Sequence, residues 1–289
     1  MLKRFFIAVC GTITGLWISG IVLVLALLTL AGAQFSVKTS SVNDNSILYL
    51  DLSGEVIEHN RNTDVLTMLQ EGTEQEPVLI DMLSSVRRAA NDSKIKAIYI
   101  NAGGAAIGVA QIEELLAELR EFKKCGKKIY AYADSYSQSD YLLASVADNV
   151  YLNPVGILDV HGVGTTYPFF TGLLDKLGIK VQVIKVGSFK SAVEPYILKE
   201  MSDSARLQTR QFVDTIWNFY SGAVAQNRSV KAGVVNEWAD SLIMTWKAEK
   251  VLASKAVTAL KYRRDVEAEL RSICGKTADD DLPLITPAE

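Results

Sequence analysis

Histidine and cysteine are scarce in this chain of 289 residues, which has two of the first and three of the second. His59 and His161 stand far apart, with no cysteine or acidic cluster at ligand spacing. That pattern argues against a metal centre, and nothing in the sequence implies a cofactor. Cys10 falls in an apolar run, so Cys125 and Cys274 form the one possible pair outside it. No disulfide framework is indicated. Charge of one sign is lacking too: 30 basic against 33 acidic residues leave a net charge of −3. The chain therefore presents no overall basic character that would mark a nucleic-acid binder. Internal repeats are also missing.

Charge is absent altogether from Phe5 to Ala33. As a helix this run would extend about 43 Å, more than the roughly 30 Å of a bilayer's hydrocarbon core. Lys3 and Arg4 precede it, and the positive-inside rule then puts the amino terminus in the cytoplasm. The expectation is a single-pass anchor in the lipid of a bacterial inner membrane, with the soluble part in the periplasm. A competing reading is a signal peptide cleaved after Ala33, because Ala31-Gly32-Ala33 fits a small-x-small site. The run is longer than the usual apolar segment of such peptides, which favours the anchor. Residues 1–46 are thus expected to hold the basic end, anchor and polar tether, 47–275 an α/β domain, and 276–289 a linker or disordered tail.

Within the soluble part, short apolar runs alternate with helical stripes. Ile47–Leu52, Lys96–Ile100, Lys128–Ala133, Asn149–Pro154 and Val181–Val186 read as strands. Leu79, Met82, Leu83, Val86 and Ala90 recur at helical spacing, as do Ile112, Leu115, Leu116, Leu119 and Phe122, with Gly126 as a C-terminal stop. Further helices are expected after the polar turn Asp134–Asp140 through Ala147, up to Gly178, from a Ser202-Asp203 cap onward, around Lys247–Ser254 and over Arg264–Ile273. Glu58–Glu76 reads as a polar loop. This alternation predicts an α/β fold with a largely parallel sheet and flanking helices.

Ligands of open parallel sheets collect at the carboxyl ends of the strands, where three loops carry usable chemistry. Gly103-Gly104 follows a strand and can bring backbone N–H groups close to a developing oxyanion, or can simply be a strand-to-helix turn. Ser135, Ser137 and Ser139 lie at the start of a helix, where a nucleophile gains from the dipole and where serine also serves as a cap. Val186–Tyr196, VGSFKSAVEPY, sets Lys190 behind a glycine turn and ahead of Glu194-Pro195. A free lysine titrates near 10.4, and burial lowers that by up to about 3–5 units, making the amine a usable base. The alternative is a surface lysine paired with Glu194.

The segment around Lys190 closely resembles the lysine motif of protease IV, the membrane-bound signal peptide peptidases that use a Ser/Lys dyad. The resemblance runs from the anchor and ILYLDLSGEVI to about Gly275, and corresponds to the N-terminal of two tandem copies in the family's long form. It implies a Clp-protease/crotonase-like fold, Lys190 as the catalytic lysine, and Gly103 and Gly104 in the oxyanion loop. Tyr136–Gly164 resembles the nucleophile segment. There the family's Ala-Ser-Gly-Gly-Tyr pattern is Ser137-Gln138-Ser139-Asp140-Tyr141, so Gln138 occupies the nucleophile's place. Ser137 and Ser139 are the remaining candidates.

The resemblance further implies hydrophobic signal peptides as substrate, a second, serine-bearing peptidase domain as partner, and a homo-oligomer. Two other readings are open: an inactive anchored scaffold that binds peptides or subunits, and a crotonase-like acyl-CoA enzyme. The peptidase reading requires Lys190 to be withdrawn from water beside the paired glycines.

Overall fold

Period-two alternation in the strands decides this architecture, because it gives the sheet two different faces. The computed structural model describes residues 2–34, 42–59 and 77–287. It divides into one unit within residues 1–41 and another within 42–288. The first is a single helix, α1 (Leu2–Gln34). Its stretch Val9–Ala26 has a mean hydropathy of 2.1 and is long and apolar enough to cross a membrane. The hydroxyls of Thr14 and Ser19 bond back to the carbonyls of Cys10 (2.9 Å) and Leu16 (3.0 Å). Such back-bonding satisfies polar side chains within an apolar helix.

The second unit begins with β1 (Ser46–Leu52), α2 (Leu79–Asn91), β2 (Ile95–Ala102), α3 (Val109–Lys123), β3 (Lys128–Ala133), α4 (Gln138–Ala144) and β4 (Asn149–Leu152). It continues with α5 (Thr171–Lys176), α6 (Glu194–Ile197), α7 (Asp203–Arg228), α8 (Ala232–Asp240), α9 (Ala248–Ala253), β5 (Ala259–Leu260), α10 (Arg263–Ile273) and β6 (Leu284–Ile285). The strands form one sheet in the order β5-β4-β3-β2-β1-β6, and every pair is parallel. Leu50, Ile98, Ile100, Ile129, Ala131 and Val150 face the main core, where they meet Leu83, Val86, Leu115, Leu116 and Leu119 of α2 and α3. Tyr99, Tyr130, Tyr132 and Tyr151 face the other way and pack with Val266 and Leu270 of α10. The expected parallel α/β fold is therefore the one observed.

Four expectations need correction. Val181–Val186 forms no strand; the run has no regular secondary structure, pairs with no strand among the described residues and is largely exposed. The sheet already ends in the two-residue strands β5 and β6, and the run pairs with neither. The supposed tail is not a linker throughout, since Leu284–Ile285 pairs with Ile47 and Leu48. α4 stops at Ala144 rather than reaching Ala147. Finally, α7, where Phe212, Ile216, Phe219 and Ala223 recur at helical spacing and are expected to share one buried face, buries Ala223 of these while Phe212 is 66% exposed. Most of the loop expected over Glu58–Glu76, and most of the tether, lie outside the described residues. All three cysteines are free, with Cys125 exposed and Cys274 buried.

Candidate active site

The turn between β3 and α4 is fixed from below by Tyr136. Its ring is buried, its hydroxyl donates to the Tyr151 carbonyl at 3.0 Å, and its N–H donates to the Ile157 carbonyl at 2.8 Å. The next three residues are the nucleophile candidates Ser137 and Ser139 with Gln138 between them. Ser137 is the N-cap of α4: its Oγ accepts the Asp140 N–H at 3.2 Å and donates to Asp140 Oδ2 at 2.7 Å. Both capacities of that hydroxyl serve the cap, which is the structural use that serine has at a helix start. Ser139 is half-buried in the first turn, and no hydrogen bond joins it to a lysine or histidine among the described residues.

Gln138 uses both ends of its amide. Oε1 accepts the His161 main-chain N–H at 2.9 Å, and Nε2 donates to the Gly162 carbonyl at 3.3 Å. His161 is in turn bonded through Nδ1 to Asp159 Oδ1 at 2.8 Å. The sequence marked Gln138 only as a missing hydroxyl. Its bracing of the loop after β4 leaves no one-dimensional signal, because the partners are main-chain groups.

The paired glycines divide their roles. The Gly103 N–H donates to the Leu52 carbonyl at 2.9 Å, so it is spent on the β1–β2 junction and is not an oxyanion donor. A Cβ there would sit 3.1 Å from that same oxygen, which explains the glycine sterically. Gly104 has φ of +82° and its N–H has no partner among the described residues. Of the two, only Gly104 offers an amide to a ligand.

Lys190 lies on an arm that leaves the body at Gly162 and returns at Ser202. The arm braces itself: the Phe170 N–H donates to the Pro195 carbonyl at 2.7 Å, Phe170 stacks on Tyr196 at 5.9 Å, and the Thr171 hydroxyl donates to the Leu198 carbonyl. Glu194 is buried and accepts from the Ser202 N–H (3.0 Å) and hydroxyl (2.7 Å), with Lys185 Nζ at 3.8 Å. Those Ser202 hydrogen bonds, helped by Lys185, hold the carboxyl below its ordinary value. Glu194 is thus committed to Ser202 and Lys185 and does not pair with Lys190. The Lys190 side chain is exposed, without a hydrogen bond or ion pair among the described residues. Its neighbour Phe189 is 57% exposed. The desolvated pocket expected around this lysine is not formed by the chain alone, and nothing bonds Lys190 to α4 or to Gly104.

A polar row that the sequence reading missed runs along the opposite face at the carboxyl ends of β1–β4. Asn101 donates to Asp51 at 2.9 Å, Arg263 donates to Asn101 at 3.0 Å, and both Tyr132 and Asn153 donate to Asp134, at 2.5 and 2.8 Å. The bond from Tyr132, then that from Asn153, pushes the Asp134 carboxyl down. Tyr132, Asp134, Asn153 and Arg263 of this row border a cavity of about 500 Å³ with Tyr262 and Arg264. Strand alternation places Asp51 beside Asn101 on one face, which is the signal that would have found the row.

Residues 121–275 match Peptidase family S49. That match covers more than half of the chain, including α4, the arm and Lys190. The chain belongs to this family. Protease 4 of Haemophilus influenzae is 30% identical over 262 residues, covering 86% of this chain and 42% of that protein. Protease 4 of Salmonella typhi is 32% identical over 267 residues, covering 84% and 43%. The chloroplastic Serine protease SPPA of Arabidopsis thaliana is 23% identical over 198 residues, covering 68% and 29%. The S49 chain thus spans less than half the length of each of these three relatives. A solved enoyl-CoA hydrotase/isomerase family protein from Silicibacter pomeroyi overlaps 83% of the chain and 82% of its own, at 13% identity and a TM-score of 0.41, and that likeness carries no argument.

Proposed function

We propose that this chain is the lysine-bearing half of a composite serine peptidase site, anchored by α1 with its soluble part in the periplasm. One observation carries the reading. The nucleophile's place holds Gln138, an amide without nucleophilic character, while Lys190 stands exposed on an arm that the body does not cover. A base without a nucleophile on the same chain calls for a serine from elsewhere. The chain's 42–43% share of the two Protease 4 sequences leaves room for such a domain.

Apolar exposure supports the same conclusion. Ile184 is 99% exposed, Val186 83%, Phe189 57% and Leu177 63%, all on the arm. Side chains of this kind need a partner surface, and covering them would also strip water from Lys190. The docked serine hydroxyl would then give its proton to the neutral Lys190 amine as its oxygen attacks the peptide carbonyl. The resulting ammonium would return that proton to the leaving amine, and a water activated by the same amine would release the acyl group. The Gly104 N–H is the available donor for the oxyanion. Substrates would be hydrophobic signal peptides left in the membrane, and further copies of the chain would complete the enclosure.

The test is a peptidase assay of the chain with and without a serine-bearing partner domain. Turnover is expected only in the mixture, and Lys190→Ala should abolish it there while leaving the chain folded. Turnover by the chain alone, or covalent labelling of Ser137 or Ser139 by a serine-directed reagent, overturns the proposal. A second reading, an inactive peptide-binding scaffold, is favoured by the same exposed Lys190. It predicts peptide binding with no hydrolysis in either arm of the assay.

A further inference from the structure

We infer that Gln138 is a positioning residue: it fixes the root of the arm that carries Lys190. The argument is one of connectivity. Up to Val160 the chain belongs to the body. Leu158 and Val160 are buried, and the Asp159 N–H donates to the Tyr136 carbonyl at 2.9 Å. Beyond Gly162 no hydrogen bond among the described residues returns to the body until Glu194 meets Ser202. Among the described residues, the main chain of residues 161–162 is tied to the body by the two Gln138 hydrogen bonds alone, while the His161 ring bonds only to Asp159, two residues back along the same chain.

Geometry makes this contact more than a chance surface pair. A primary amide presents an acceptor and a donor side by side, the same pair that a strand offers a neighbour. Gln138 satisfies one N–H and one carbonyl on adjacent residues, and so fixes both position and direction of the chain there. Gly162 has φ of +80°, a left-handed turn at the point where the chain departs. A hydroxyl at position 138 would offer one oxygen on a shorter stem and could not make both bonds. The position that lacks a nucleophile has thereby acquired a mechanical task for the segment bearing the base. The clamp stands on these contacts alone; its consequence for turnover rests on the proposed role of Lys190.

Hydrogen exchange of the full chain in detergent, read residue by residue across 159–165, tests it. In Gln138→Ala the His161 amide should exchange on the order of tenfold faster, because the acceptor that holds its N–H is gone. Trypsin should cut faster at Lys176, Lys180, Lys185 and Lys190, while exchange across β2 and β3 stays unchanged. Gln138→Glu is nearly isosteric. It keeps the acceptor for the His161 N–H and loses the donor to Gly162, so His161 should stay protected while cleavage in the arm still accelerates. With a serine-bearing partner domain present, Gln138→Ala should lower kcat with little change in KM. Unchanged exchange at His161 in the alanine variant, or equal deprotection of β2 and His161, overturns the inference. Faster exchange together with full turnover in Lys190→Ala would leave the clamp standing and remove the lysine's proposed role.

Discussion

β3 and the run Lys180–Val186 are written in nearly the same language, yet the fold treats them oppositely. KIYAYA is flanked by β2 and β4, and from Ile129 on it is buried. KVQVIKV is about as short and richer in β-branched residues, with Val181, Val183, Ile184 and Val186 against Ile129 alone, but no strand among the described residues pairs with it and Ile184 is 99% exposed. Propensity therefore did not decide between them. A strand needs a partner edge, and β-propensity measures fit to a half-buried pleated surface rather than a backbone preference. The arm has the composition of a buried element without, in this chain, anything to bury it.

The widest way to break this contrast is to truncate one residue on each side of it. Leu115→Ala, in α3 beneath the sheet, should cost about 2–5 kcal/mol, because Leu115 is fully buried and leaves a cavity. Ile184→Ala should fall within about 0.5 kcal/mol in the chain alone, as exposed substitutions do. Urea unfolding of both variants reads the difference directly. A loss of 2 kcal/mol or more for Ile184→Ala would mean that the arm packs against the body. The same substitution should weaken association with a serine-bearing partner domain, where the arm is proposed to be covered.

A narrower test sits where body and candidate site meet. Ser137→Ala removes a cap that both accepts the Asp140 N–H and donates to its carboxylate. The expected cost is about 1 kcal/mol of stability with no effect on turnover in an assembled enzyme. Abolished turnover in a variant that remains folded would restore Ser137 as a nucleophile and contradict the composite site.

These contrasts also explain what was legible in the sequence. β1–β4 and the long helices announce themselves because their burial is periodic and local, as in Ile112, Leu115, Leu116, Leu119 and Phe122. Gly104 was legible as a glycine at the turn after a strand, and its left-handed φ of +82° is a conformation that favours glycine. Gly103 was not separable from it, because its partner, the Leu52 carbonyl, lies in another strand. The fate of Val181–Val186 depended on whether any sheet edge would accept it. β6, at the other extreme, hid in an acidic, proline-bearing stretch, because two residues pairing with β1 leave no period to detect. Lys190 was legible as a motif, whereas its exposure depends on what surrounds the arm.

The smallest predicted effect concerns the far root of the arm. Glu194 is buried there as a carboxylate that accepts two hydrogen bonds from Ser202, and its pKa is depressed below the ordinary glutamate value of 4.5. A depressed folded-state value means that the ionised form stabilises the fold. That contribution is fully present above about pH 4.5 and is lost as pH falls through the folded-state value. Glu194→Gln should therefore cost on the order of 1 kcal/mol at neutral pH, the scale of a weakened hydrogen bond. It should also flatten the acid limb of stability relative to the parent chain. Other carboxylates, Asp134 among them, titrate alike in both proteins, so the difference between the two curves isolates Glu194. Thermal midpoints from pH 6 to pH 3 supply those curves. If the body alone sets the midpoint, tryptic cleavage at Lys185 read over the same range reports the arm directly. Parallel curves in both measurements would mean that the Glu194–Ser202 contact holds nothing that acid can release.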